Sequence, residues 1–169
     1  MSLDEPSRLA ARVRELAEGH HRWRARCINL IASENLTSPA VRELLATDFG
    51  HRYAEGEPFK RHYRGTRYID EIEAMAIELC KEIFGAEHVN LKPISGCIAN
   101  LIAFYALTKP GDTVMALDVP SGGHISYAEF GVAGARGLKV HALPFDAREM
   151  AIDADAMARE AAKVRPRMI

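Results

Sequence analysis

Leu91-Lys92-Pro93-Ile94-Ser95-Gly96-Cys97-Ile98-Ala99-Asn100 is the stretch on which the reading of this chain turns. An apolar, strand-like run from His88 to Leu91 stops at Pro93, which has no N–H to give a ladder. A small-residue turn follows. Then comes an apolar helical pattern through Ile98, Leu101, Ile102, Tyr105 and Ala106. The spacing predicts a strand near 88–92 and a helix over 97–107. Strand, tight turn and helix N-terminus make a corner that accepts anions: the first-turn N–H groups have no carbonyl inside the helix, and the dipole favours negative charge. Ser95 adds a hydroxyl, and Gly96 lets a ligand come close to the backbone. Small residues also cap helices with no ligand present, so this motif alone leaves both readings open.

Working outward, residues 5 to about 26 read as a charged amphipathic helix with Leu9, Val13, Leu16 and Ala17 on one face. Arg22, Arg24 and Arg26 at its end read as a solvated face. Residues 28–35 are a short apolar run closing in a polar turn. Ser38-Pro39 starts a helix that runs to about Thr47, with Ser38 as N-cap and Pro39 at N1. Residues 50–67 have no usable period and are rich in Gly, Tyr, Arg and His, which marks a functional loop. Ile69, Ile72, Met75, Ala76, Leu79 and Ile83 then form one helical face, read as core, and Gly85 ends the helix.

Past the opening motif, Lys109 to Asp112 form a turn and Thr113 to Val119 a strand. Gly122-Gly123-His124 is a turn before a helical segment of about Ser126 to Ala133. Gly137 to Leu143 is another strand, and Asp153 caps a last helix over 154 to about 164. Pro166-Arg167-Met168-Ile169 looks like the start of one more strand. Alternating strands and helices imply crossovers and a mostly parallel α/β sheet. A chain that stops as a new central strand begins leaves its sheet unfinished, so the sequence reads as the first part of something longer.

Composition narrows the function. The chain has 169 residues and a net charge of −1, which gives no electrostatic case for nucleic acid or an anionic membrane. Cys27, Cys80 and Cys97 form no CxxC, which argues against zinc or a disulfide framework and fits a reducing, cytoplasmic setting. No metal site is expected. No apolar run approaches the ~18 residues of a membrane span, and the N-terminus lacks a signal-peptide pattern.

Three motifs stand in order: "LIASEN" at 30–35, "YAEGEPFKRHYRGTRYIDEIE" at 53–73, and "PISGCIAN" with "LDVPSGGHIS" at 93–100 and 117–126. Together they closely resemble the N-terminal part of serine hydroxymethyltransferase, a fold-type I pyridoxal-phosphate (PLP) enzyme. "GLKVHALPFD" and "MAIDADAM" (137–146 and 150–157) look most like its archaeal branch. The resemblance implies an N-terminal arm and active-site loop over 1–67. The first part of an aspartate-aminotransferase-like, mostly parallel α/β sheet domain would follow over 68–169, incomplete at the C-terminus. It also implies a homodimer. The activity implied is interconversion of serine and glycine, with a one-carbon unit passed to tetrahydrofolate or tetrahydromethanopterin.

The resemblance carries roles onto matching positions. Ser95, Gly96 and Cys97 match the phosphate cup; Cys97 stands where the family often has Ser, and a thiol is a weaker donor. His124 matches the histidine stacked on the pyridine ring. Tyr53 matches a tyrosine near the phosphate, and Glu55 the acid/base glutamate. In the family the 53–64 loop reaches the neighbouring subunit's site. A carboxyl that handles the substrate hydroxyl must be held close, and burial raises a carboxyl's pKa. Ser33 matches a substrate-carboxylate contact and Tyr63 a tyrosine at the amino-acid site. The residue before Tyr63 is His62, where the family usually has a second tyrosine. Val119 and Gly123 match positions facing the pterin ring. Lys60, Arg61 and Arg64 read as a solvated charge run, with folate glutamates as the other possibility.

The family's cofactor-bearing lysine, the aspartate under the pyridine nitrogen and the arginine that clamps the substrate carboxylate cannot be assigned within these residues. The chain thus carries half a site and is expected to be inactive alone. The His62 departure keeps a threonine-type aldolase or transaldolase open, with pterin dependence separating the two. A non-catalytic paralogue serving as an interaction module is the reading from another class. The survival of Tyr53, Glu55 and His124 speaks against it.

Overall fold

The computed structural model describes residues 5–169. It divides into two units that part between Ala54 and Glu55.

In the first unit, α1 spans Glu5–Arg24 and carries Leu9, Val13 and Leu16 on its surface. Past its end, Glu34 N–H bonds the Ile31 carbonyl at 3.1 Å, closing the polar turn that holds Ser33. Arg24 pairs with Glu34 at 2.7 Å across that turn. Helix α2 spans Pro39–Leu45, with the Ser38 hydroxyl accepting from Val41 N–H and proline in the first turn. A 3₁₀ turn, Asp48–His51, follows.

The second unit opens with a hairpin of two short antiparallel strands, β1 (Gly56–Glu57) and β2 (Lys60–Arg61). The loop expected over 50–67 is therefore partly ordered as a 3₁₀ turn and a hairpin. Two-residue strands are too short to show the alternation that would reveal them. Helix α3 (Arg67–Phe84) ends at Gly85 in the left-handed region, as expected.

Strand β3 (Thr113–Ala116) is central. It pairs in parallel with β4 (Lys139–Ala142), Val114 opposite Val140. On its other edge Met168 bridges Val114, also in parallel, with Arg167 N–H to Thr113 O at 2.7 Å and Met115 N–H to Met168 O at 2.9 Å. The strand-like terminus is thus docked as expected. The core is Phe104 of α4 (Gly96–Leu107), Val114 of β3, Ala133 of α5 (Val132–Ala135) and Leu138. A second antiparallel hairpin, β5 (Phe145–Asp146) with β6 (Ala151–Ile152), precedes α6 (Ala154–Val164), whose N-cap is Asp153. The architecture is mixed α/β with a parallel pair at its centre.

Three expectations are corrected. Residues 88–92 form no strand: Asn90 Oδ1 takes the Lys92 N–H at 3.0 Å, a local bond that competes with a ladder, and Pro93 offers no N–H. The helix expected over 126–133 is instead a 3₁₀ turn, Ile125–Tyr127, followed by the four-residue α5. His124 Nδ1 takes the Ser126 N–H, and Gly131 interrupts the run. The apolar face of α3 is not core, since Ile72, Met75, Leu79 and Ile83 are all exposed. Among the described residues no helix is long and apolar enough to cross a membrane.

Candidate functional site

Helix α4 is joined to β3 by the short turn at 108–112. It therefore runs back along the sheet, and its first turn faces the region beyond the carboxyl end of β3. Open α/β sheets bind ligands in that region. Ser95 is extended and caps the helix, its hydroxyl oxygen accepting Ile98 N–H at 3.2 Å. That leaves the hydroxyl hydrogen to donate outward. Gly96 and Cys97 occupy the first turn, where N–H groups lack an intrahelical partner. No atom lies within 4 Å of where a Gly96 Cβ would stand, so a ligand can reach the backbone.

The turn after β3 lies on the same side. Asp118 caps the 3₁₀ turn Val119–Ser121, and Gly123 N–H bonds the Asp118 carbonyl at 2.8 Å. Val119 and His124 line one cavity of about 290 Å³ together with Tyr127 and Phe130. His124 meets Tyr127 edge-on, ring centroids 6.3 Å apart. Ser126 joins this turn to α4, because Asn100 Nδ2 donates to Ser126 Oγ at 2.8 Å and that oxygen lies 2.9 Å from His124 Nδ1.

Glu55 sits at the entry to the β1–β2 hairpin, its carbonyl accepting His62 N–H at 3.0 Å. Its side chain is exposed. Gly56 beside it has φ +107, and an added Cβ would stand 2.8 Å from the Lys60 carbonyl oxygen, so only glycine fits between the two strands. Glu57 pairs with Lys92 in the segment leading to α4, and this bond holds the Glu57 carboxyl below its ordinary range. Side-chain hydrogen bonds thus connect the hairpin to the segment before α4, and α4 to the histidine turn.

Arg61 corrects the solvated-run reading. Its side chain is 2% exposed and bonds Asp70 Oδ1 at 2.7 Å, Glu73, and the Gly56 carbonyl at 2.8 Å. Thr66 Oγ1 donates to the other Asp70 oxygen at 3.2 Å. The hairpin is therefore pinned to the first two turns of α3. Lys60 and Arg64 do lie on the surface. Arg61 holds the Asp70 carboxyl below its ordinary range through that hydrogen bond, against an opposing effect of burial. A lowered carboxyl adds stability above the ordinary carboxylate pKa and loses it as pH falls through the lowered value. The anchor should thus hold at pH 5 and loosen only in stronger acid. Removing Arg61 would strand two carboxylates, one of them buried. Arg61→Met should speed amide exchange at His62 by about 10–100-fold, measured by hydrogen exchange. Unchanged exchange would show that the hairpin stands without its anchor.

Tyr63 lies just beyond the hairpin and is exposed, as are Ser33 and Tyr53 in the first unit. Sequence reasoning missed Arg61 as an anchor, and Asn100 and Ser126 altogether. Asp70 and Glu73, spaced i,i+3 on one helix face, were the available sign of a buried cation partner.

The first turn of α4 thus stands beside a glycine-tight histidine turn, past a parallel strand of an α/β unit. The comparisons narrow this. A family model described as serine hydroxymethyltransferase matches residues 8–169, and the chain belongs to that family. It is 55% identical over 152 residues to a serine hydroxymethyltransferase of Methanopyrus kandleri, covering 90% of this chain and 36% of that protein. It is 57% identical over 157 residues to one of Methanocaldococcus jannaschii, covering 93% and 37%. For one of Archaeoglobus fulgidus the match is 51% over 154 residues, covering 91% and 35%. The likeness to the archaeal branch is borne out, and the chain spans about a third of the length of these relatives.

Proposed function

We propose that this chain supplies the N-terminal third of a PLP-dependent serine hydroxymethyltransferase that interconverts serine and glycine and passes the one-carbon unit to a tetrahydropterin of the folate or methanopterin type. The observation that carries this is the open first turn of α4 in a chain matched to the family over residues 8–169. The residues present fit the cofactor. The Ser95 hydroxyl and the N–H groups of Gly96 and Cys97 would hold its phosphate, with Tyr53 of the partner subunit near it. His124 would cover its ring. When bound, PLP supplies the electron sink that lets the Cα–Cβ bond of serine break. Glu55 holds or delivers the proton at the substrate hydroxyl. Ser33 and Tyr63 orient the amino acid, and Val119 and Gly123 offer backbone to the pterin.

Glu55 is exposed within these residues, so the enclosure an acid/base carboxyl needs comes from other protein. That supports a homodimer in which the 53–64 segment serves the partner's site.

The test is PLP binding and serine–glycine exchange in the full-length enzyme, with and without each pterin. Ser95→Ala should weaken PLP about tenfold, the scale of one charge-assisted hydrogen bond. Unchanged PLP affinity would sink the cup assignment. Retro-aldol cleavage indifferent to any pterin would point to a threonine-type aldolase instead.

A further inference from the structure

The turn that carries His124 is tied to the cup helix by a chain of hydrogen bonds. Asn100 stands one turn into α4, and its Nδ2 donates to Ser126 Oγ at 2.8 Å. Ser126 Oγ lies 2.9 Å from His124 Nδ1, and the Ser126 backbone N–H donates to the same nitrogen at 3.1 Å. Ser126 is 1% exposed, and Asn100 is half-buried. Having accepted from Asn100, the serine hydroxyl has its own hydrogen to place, and Nδ1 is the acceptor within reach. A ring nitrogen that receives a backbone N–H carries no proton itself. The imidazole is therefore held with its proton on Nε2, on the far side of the ring.

We propose that Asn100 and Ser126 are positioning residues that fix the plane and tautomer of His124 relative to the first turn of α4. This rests on the reading of His124 as the residue stacked on the pyridine ring. Stacking needs an imidazole plane at a set height above an anchored ligand. The first turn of α4 would anchor the phosphate end. The relay refers the stacking ring to the same helix, one turn further on, so both ends of the ligand are registered to one rigid element. His124 is itself exposed, and the edge of Tyr127 restrains only one side of it. An imidazole on a surface turn would otherwise sample several rotamers and lose that freedom on binding.

The experiment uses the full-length enzyme labelled with ¹⁵N-histidine. In the apo form the His124 Nδ1 shift should be that of an unprotonated acceptor, and the Nε2 shift that of a protonated nitrogen. The reverse pattern overturns the proposal whether or not any variant folds. In the loaded form, Asn100→Ala and Ser126→Ala should each weaken PLP by about 3–10-fold, the scale of a lost hydrogen bond, and reduce the induced circular dichroism of the bound cofactor. Ser126→Thr keeps both donors and should restore them. If both alanine variants fold and keep wild-type affinity and dichroism, the relay positions nothing. His124→Ala is the separate control: wild-type PLP binding there would refute the stacking reading, while the apo ring shifts would still judge the relay.

Discussion

Glu55→Gln in the full-length enzyme should slow serine cleavage by about 10²–10⁴-fold, the range for losing a general acid/base. The amide keeps the shape of the carboxyl but cannot take up or release the proton of the substrate hydroxyl. PLP binding should stay close to wild type, because the proposed cup at Ser95–Cys97 and the His124 turn are built from other segments. The hairpin should also survive, since its anchor is Arg61 on Asp70 and Glu73 and only the Glu55 backbone takes part in it. A rate loss here is therefore chemical rather than structural. The same variant tests the dimer. Glu55→Gln subunits mixed with subunits lacking the cofactor-bearing lysine would each be nearly inactive alone. If Glu55 serves the partner's site, a mixed dimer holds one site with both defects and one with neither, and about half of the heterodimers' sites should recover. Heterodimers that demonstrably form yet show no activity would place Glu55 in its own subunit's site.

What the sequence made legible was local. Ser38, Ser95 and Asp153 announce helix starts because a small polar side chain can take the orphan N–H groups, and all three do so. Gly85 announces an end because the chain turns left-handed there. Val114 and Met115 fall in the strand expected over 113–119, of which Thr113–Ala116 forms, and are 2% exposed. What stayed hidden depends on partners distant in sequence. The 88–92 run has strand composition, but among the described residues it pairs with no strand, and Asn90 Oδ1 takes the Lys92 N–H instead. The α3 stripe is truly amphipathic, yet periodicity reports only that a face is apolar and not what covers it. Arg61 lies in a run of cations and looks solvated until the fold brings two carboxylates to it. The candidate site divides the same way. The family motif points to Ser95, Gly96, Cys97 and His124, whereas Ser126 and Asn100 emerge only once α4 and the histidine turn are placed side by side.

Gly123→Ala should be the most damaging small substitution in the histidine turn. A Cβ at this position would stand 1.8 Å from the Leu117 carbonyl oxygen, 2.6 Å from its carbon and 2.8 Å from the Asp118 oxygen. All three are backbone atoms, so no side chain can swing aside. The segment that ends β3 would have to move, and with it the Asp118 carbonyl that holds the Gly123 N–H. Overpacking that shifts backbone typically costs about 1–3 kcal/mol, more where the neighbours cannot yield, as with backbone atoms here. His124 follows directly in the chain, so its ring would leave the position set by Ser126, and PLP affinity should fall with stability. Gly122 is the control. Its φ of +100 makes any side chain strained, at about 1–3 kcal/mol, but a Cβ there meets nothing within 4 Å. Gly122→Ala should therefore lower the melting temperature with a smaller effect on PLP binding, and Gly123→Ala should lower both sharply. Thermal unfolding and PLP titration of the two full-length variants make the comparison. If Gly123→Ala matches wild type in both, β3 does not run into the histidine turn as closely as the contact at Leu117 requires.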